Sequence, residues 1–522
     1  MDRRRFVTAT AGGAAALLSL LALPTAARAD AQLALAFADH MVLQREMRTP
    51  IWGTASPNEE VTVSIDGQVV QTRADRDGRW IVRLNPMKAG GPHELIVQGR
   101  NTIRLKDILV GDVWICSGQS NMEWPMTRTN NAQKEIAEAN NPNIRLCFVP
   151  KTVAAQPRTA VNIRWTTCTP ETVAGFSAVG YFFGRHLQKS LDVPIGLVNT
   201  NWGGTPAEAW TDDETLRSDP DYAAILKRAE DAPATYKANL AKYEEDRAKW
   251  QAAVDAAKAE GKPAPPQPRA PTPPERNPNL ASVLFNGMIH PLLPMGIKGA
   301  IWYQGESNAG RAYQYRKLLP DMIQGWRTAW GQGDFPFLIV QLANYGQNNP
   351  NPPGTAWAEL REAQAMTAQT VKNSGLAVTI DIGNPEDIHP TNKQDVGRRL
   401  GLIAENRVYG KKDVVYSGPV YKSMSVEGDA IRLRFDHIQG GLEVKGTILR
   451  GFTIAGPDQK FVPAEAQVDG NTVVVRAAGV TNPVAVRYGW ANSPICNLYN
   501  AARLPAVPFR TDDWPGFTVN AK

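Results

Sequence analysis

The chain is poor in the residues that metal and redox chemistry draw on. Its 522 residues include four cysteines and six histidines, and no Cys/His cluster has the spacing of a zinc site. No metal and no cofactor are therefore expected. Basic residues are scattered without a block or stripe, and no aromatic-basic RNA motif is present, which speaks against a nucleic-acid partner. Also missing is an apolar run long enough for a retained membrane span. The one near the N-terminus ends at Leu23, contains glycines and is short.

What is present describes an ordinary globular protein. Apolar residues make up 43% and charged residues 21%, enough for a large core in roughly two to four domains. Residues 1–29 stand apart: Asp2-Arg3-Arg4-Arg5-Phe6 carries paired arginines, an alanine-rich apolar run follows, and Ala27-Arg28-Ala29 offers a small-residue cleavage site. This is the pattern of a twin-arginine export signal, and it predicts a periplasmic or secreted protein without membrane contact once the signal is removed. The segment holds a net +3 of the total +6. Cys116 and Cys496 fall in strand-like stretches where buried free thiols are common. Cys147 and Cys168 are candidates for a disulfide in an oxidising compartment.

Residues 30–108 alternate as strands do, with Val61-Thr62-Val63-Ser64-Ile65 turning at Asp66-Gly67 into Gln68-Val69-Val70, and a second hairpin expected around Asp77-Gly78. They predict a small β-sandwich. From 109 to 410 apolar runs alternate with helical stretches: Val113–Cys116, Ile195–Asn199, Ala300–Tyr303, Phe337–Gln341 and Leu376–Ile380. That alternation implies βαβ units and a parallel sheet covered on both faces. An insertion at 211–279 combines apolar residues at helical spacing (Tyr236, Leu240, Tyr243, Trp250, Val254) with a proline-rich return; it reads as a long amphipathic helix, either a roof over the cleft or a structural excursion. Residues 411–522 return to short strands and form a second β-rich domain, in which Trp490-Ala491-Asn492 follows a strand and is placed near the cleft.

The reactive stretch is DVWICSGQSNMEWPM, Asp112 to Met126. A buried strand breaks into a small-residue turn, and parallel sheets place reactive groups at that end. Gly118 permits a sharp bend, and Ser120 opens a helix with backbone N–H groups beside it, which suits a nucleophile with an oxyanion site; Ser and Asn also cap helices routinely, so the motif alone leaves both roles open. A serine needs a base. Of His40, His93, His186, His290, His389 and His437, only His389 follows an acidic pair, Glu386-Asp387, and precedes a stiffening Pro390. His290, in NGMIHP, is the fallback.

Together with GLVNTNWGGTPAEAW (Gly196–Trp210), GAIWYQGESN (Gly299–Asn308) and DIHPTNKQDVGRR (Asp387–Arg399), the GQSNM motif resembles the sialate O-acetylesterase branch of the SGNH, or GDSL-like, hydrolases. The resemblance runs from about residue 35 to the C-terminus. It implies an α/β fold, a flavodoxin-like parallel sheet sandwich with flanking β-rich domains, and a Ser120–His389–Asp387 acyl-enzyme mechanism on O-acetylated carbohydrate. SGNH hydrolases commonly carry the acid three residues before the histidine, which is Glu386 here; Asp387 belongs to the DIHP string of this branch and is preferred, with Glu386 as the alternative. The expected oxyanion donors are Ser120, Gly203 and Gly204, with Gln304, by the resemblance, favoured over Asn308 for the remaining place.

Asn121, Trp124, Trp202, Trp302, Glu306 and Arg311 are the expected sugar contacts, since aromatic faces and polar side chains suit a sugar's mixed surface; Arg399 is a further cation for an acidic sugar. Sialic acid is the substrate the resemblance suggests, with acetylated xylan or another plant glycan as the alternative. An O-acetyltransferase would use the same nucleophile. A non-catalytic glycan-binding protein is disfavoured because both Ser120 and His389 are present.

Overall fold

The computed structural model describes residues 30–347 and 355–522, so the expected export signal lies outside the described residues. The organising element is one strand, β1 (Thr102–Gly118), 17 residues long. Its first part alternates between exposed and covered side chains and pairs antiparallel with Gly90–Gln98. From Ile108 onward every residue is buried, as in a strand with helices on both faces. The boundary expected at 108/109 thus falls inside a continuous strand.

Six further strands complete the central layer: β2 (Asn141–Phe148), β3 (Arg164–Cys168), β4 (Ile195–Asn201), β5 (Gly299–Tyr303), β6 (Phe337–Val340) and β7 (Ser374–Ala377), in the spatial order β3-β2-β4-β1-β5-β6-β7. All neighbours are parallel except the antiparallel edge strand β3. The layer is therefore a mixed sheet, in place of the purely parallel one expected. Helices α1 (Ala178–Leu191) and α4 (Lys393–Arg407) cover one face, and α2 (Ala312–Trp330) and α3 (Ala356–Thr370) the other. Alternate strand residues divide between them: Trp114, Cys116 and Ile301 face the first core, Val113, Ile115 and Trp302 the second.

In the N-terminal sandwich, Val61, Val63 and Ile65 face inward opposite Trp80 and Val82. Asp66 and Gly67 both have positive φ and close the expected hairpin. The turn at Asp77-Gly78 makes no hairpin. Gln68–Arg73 pairs with Glu60–Ile65 in one layer, and Arg79–Arg83 with Pro50–Thr54 in the other, so the chain crosses between layers there, held by the Asp75 carboxylate accepting the Asp77 and Arg79 N–H groups.

The insertion does form a long helix, Ala232–Ala259, but none of its residues is buried. Its apolar stripe is half-covered by the proline-rich return, to which Trp250 donates through Nε1 at the Pro265 carbonyl (2.8 Å). The C-terminal strands build two four-stranded sheets around a separate core of Ile431, Leu433, Val473, Ile454 and Tyr488. Cys147 and Cys168 are free thiols. Register explains why: Cys147 lies opposite Trp165, three residues before Cys168 on the neighbouring strand, which puts the two about 10 Å apart along the ladder, beyond disulfide reach.

Candidate active site

Three neighbouring strands deliver the motifs to one edge. Ser120 follows β1, Trp202–Gly204 follow β4, and Gln304 follows β5. The turn after β1 depends on Gly118, whose φ is +135° and where an added Cβ would lie 2.2 Å from the Tyr303 carbonyl oxygen; no side chain fits. Ser120 begins a short helix, Ser120–Glu123. Being the first helical residue, it has an N–H with no intrahelical acceptor.

His389 comes from the long loop after β7, at the far side of the sheet, and reaches back across it. Its Nε2 lies 2.9 Å from Ser120 Oγ, a hydrogen bond between residues 269 positions apart in sequence. Asp387 Oδ1 is 3.3 Å from His389 Nδ1 and also accepts the His389 backbone N–H at 2.9 Å. Glu386 is exposed and has no contact with the imidazole; its own N–H is bound to Asn384. Trp124 stacks on the imidazole, with ring centroids 5.0 Å apart and planes at 16°. Burial holds the His389 pKa below its ordinary value; Asp387 opposes this, while Lys393 and Arg128 add to it. The imidazole is thus neutral near pH 7, the form that can accept a proton. His290 is spent elsewhere, with Nδ1 2.7 Å from the Arg158 carbonyl oxygen.

A cleft of about 560 Å³ opens over Ser120 and His389, walled by Glu123, Trp124, Arg128, Lys151, Asn199 and Asn201. Glu123, Lys151 and the two asparagines were not anticipated from the sequence; the asparagines stand in the quoted NTNW string, but Lys151 lies outside every motif. Glu123 bridges Lys151 (2.6 Å) and the Gly203 N–H (2.6 Å), so that donor is occupied here. Gly203 packs tightly, its notional Cβ 3.3 Å from Ser120 Cβ, while Gly204 has φ +77° and open space beside it. On the other side of His389, a second cavity of about 770 Å³ is lined by Asp387 and by Lys445, Tyr499 and Arg503 of the C-terminal region.

Several expected site residues serve the scaffold. Gln304 is fully buried; it donates to Asn308 Oδ1 (2.7 Å) and the Thr205 carbonyl (3.2 Å), and its oxygen accepts from Tyr315 (2.8 Å). Asn308 donates to Glu208 (2.8 Å) and accepts the Ala207 N–H (2.8 Å). Arg311 pairs with Glu208 and Arg399 with Asp381. Both N–H groups of Gln304 are thus engaged, neither amide lines the serine cleft, and of the two arginines Arg399 lines only the second cavity. Trp302 is fully buried among Trp210, Trp326 and Phe337. Trp202 is half-buried beneath Lys151, 5.5 Å from its ring centroid. Asn121 is buried and Glu306 half-buried behind the serine, bonded to each other at 2.6 Å. Ala491 and Asn492 give their carbonyls to Arg361 instead of approaching the cleft, and no residue of 211–279 lines it.

A serine hydroxyl within hydrogen-bond distance of an imidazole, at the edge of a mixed sheet, fits a hydrolase. The sequence model of the carbohydrate esterases described as sialic acid-specific acetylesterases matches residues 110–250 and 284–403. The chain belongs to that family and is an esterase. It is 31% identical to sialate O-acetylesterase of Mus musculus over 90% of this chain and 92% of that protein, and 31% identical to the Homo sapiens protein of the same name over 92% and 93%. Among solved structures, a carbohydrate acetylesterase from Xanthomonas citri superimposes with TM-score 0.79 and 41% identity, covering 93% of this chain and all of that one.

Proposed function

We propose that the protein hydrolyses acetyl esters of sugars through a Ser120 acyl-enzyme, on an SGNH-type, flavodoxin-like catalytic layer. The observation that carries the reading is the 2.9 Å contact between Ser120 Oγ and His389 Nε2. Ser120 attacks the acetyl carbonyl while His389 takes its proton; the carbonyl oxygen becomes an oxyanion facing the Ser120 and Gly204 N–H groups. His389 then gives the proton to the departing sugar oxygen. Water, deprotonated by the same imidazole, attacks the acyl carbon, and acetate leaves as Ser120 is reprotonated. Asp387 holds the imidazole with Nδ1–H toward itself, and Glu386 takes no part.

The sugar lies over Trp124 and the polar cleft wall, and its unacetylated remainder extends past His389 toward the second cavity. The named relatives support an O-acetylated sialic acid as substrate; acetylated xylan is the competing one. The leading arginines and the Ala27-Arg28-Ala29 site support export to the periplasm or beyond.

The test is acetate release from O-acetylated sialic acid and from acetylated xylan by the mature protein, Ser120→Ala and His389→Ala. The reading expects both variants to lose about 10⁴-fold or more in kcat. Undiminished release by Ser120→Ala would overturn it.

A further inference from the structure

Behind the reacting pair lies a buried polar cluster that the acyl-transfer steps do not use. Asn121, next in the chain to Ser120, is 1% exposed and spends its amide on three different elements. Nδ2 donates to Glu306 Oε1 after β5 (2.6 Å) and to the carbonyl of Ile388, the residue before His389 (3.0 Å). Oδ1 accepts from Lys393 Nζ in the first turn of α4 (2.6 Å). Lys393 is fully buried, 5.2 Å from the Tyr303 ring and 5.7 Å from the Trp124 ring that stacks on His389.

A lysine and a glutamate taken out of water together are costly unless each compensates the other. Here they are bridged by one amide, and the bridge touches the nucleophile turn, the base loop and nothing of the cleft. Ordinary cores avoid such groups, and Glu306 Oε2 is left without a partner. A cluster placed for stability alone would be better served by apolar residues of the same volume.

We propose that Lys393 and Glu306 are positioning residues which, acting through Asn121, lock the His389 loop to the nucleophile turn and set the electrostatic environment of the imidazole. The inference rests on the Ser120–His389 reading. Lys393 is surrounded by Glu306 and Asp387, which favour its cation, while burial pulls its pKa down to about 7; Glu306 is pushed up by the same burial. The cation in turn presses the imidazole toward its neutral form, together with Arg128 and against Asp387. Removing the positive charge makes His389 easier to protonate, so the acid limb of the pH–rate profile moves to higher pH. Glu306→Gln keeps an oxygen for Asn121 but leaves Lys393 without its counter-charge, so the lysine gives up its proton more readily and the limb moves the same way.

The experiment compares the mature protein with Lys393→Met, Glu306→Gln and the double variant, each normalised to the active sites titrated by a serine-reactive fluorophosphonate. The expected result is a kcat loss of about 10²-fold in Lys393→Met with KM nearly unchanged, as for a base displaced by a fraction of a bond length. The acid limb rises in both single variants, and the double variant shows no further shift, because one coupled unit has been removed twice. Turnover per titrated site within threefold of the parent, with an unmoved acid limb, would overturn the proposal and leave the cluster a packing feature. If Lys393→Met does not fold, the near-isosteric Glu306→Gln decides by the same two readouts. Ser120→Ala, assayed alongside, separates failure of this inference from failure of the catalytic reading: retained turnover there would remove the serine itself.

Discussion

Two polar clusters sit at the ends of the neighbouring strands β1 and β5, and their hydrogen bonds go to different places. Around Gln304 and Asn308, amides, the Glu208 carboxylate and Arg311 satisfy one another below the surface. Around Ser120, the hydroxyl meets a partly exposed imidazole, and a cleft opens over both. Both clusters come from conspicuous motifs of the same amino-acid types. What separates a reacting group from a bracing one is whether a hydrogen-bonding group faces a space that a ligand can enter.

The sharpest way to break that comparison is to disable the open cluster. His389→Ala should cost about 10⁴-fold in kcat, and combining it with Ser120→Ala should cost little more, because the pair acts as a unit; steady-state acetate release measures both. Next comes Asp387→Asn, with an expected loss of about 10²-fold. Because Asp387 raises the imidazole pKa against burial, its loss should also move the acid limb of kcat/KM further down, from a starting point already below the ordinary histidine value of about 6.5.

The closed cluster should answer differently. Asn308→Ala or Gln304→Ala leaves buried partners unpaired, at about 1–3 kcal/mol each, so Tm falls while turnover per folded molecule changes only a few-fold. A loss of about 10²–10³-fold at unchanged Tm would mark them as oxyanion donors after all and erase the distinction. The smallest effect expected is in Glu386→Gln, whose kcat and acid limb should match the parent's, since the side chain points to solvent.

Much of this was legible in the chain. The buried runs at Val113–Cys116, Ile195–Asn199, Ala300–Tyr303 and Phe337–Gln341 are largely apolar on both faces, as a covered sheet requires; Ser120 stands just past the end of one, and His389 in the loop after the last strand of the layer. The site's outer residues were harder to read. Gln304 and Asn308 look like donors because motif position tells nothing of what a side chain meets; Thr205, Glu208 and Tyr315, which satisfy them, come from other segments. Lys393 escaped notice for the opposite reason: a lysine in the first turn of a helix normally reads as solvated, and only the fold buries it. Asp77-Gly78 has hairpin chemistry, yet the chain there switches layers, a choice made by the partners of Arg79–Arg83 rather than by the turn.

The long strand β1 has a mechanical meaning. The strand that is paired within the sandwich from Thr102 to Val110 runs on to the nucleophile turn without a loop, so the two layers share a spine and have no joint between them. Strain imposed on the sandwich travels along extended peptide directly to the serine, and melting one layer strips hydrogen-bond partners from the other. A cut at residue 108 would not release a detachable module; it would sever the beam on which the catalytic edge is mounted.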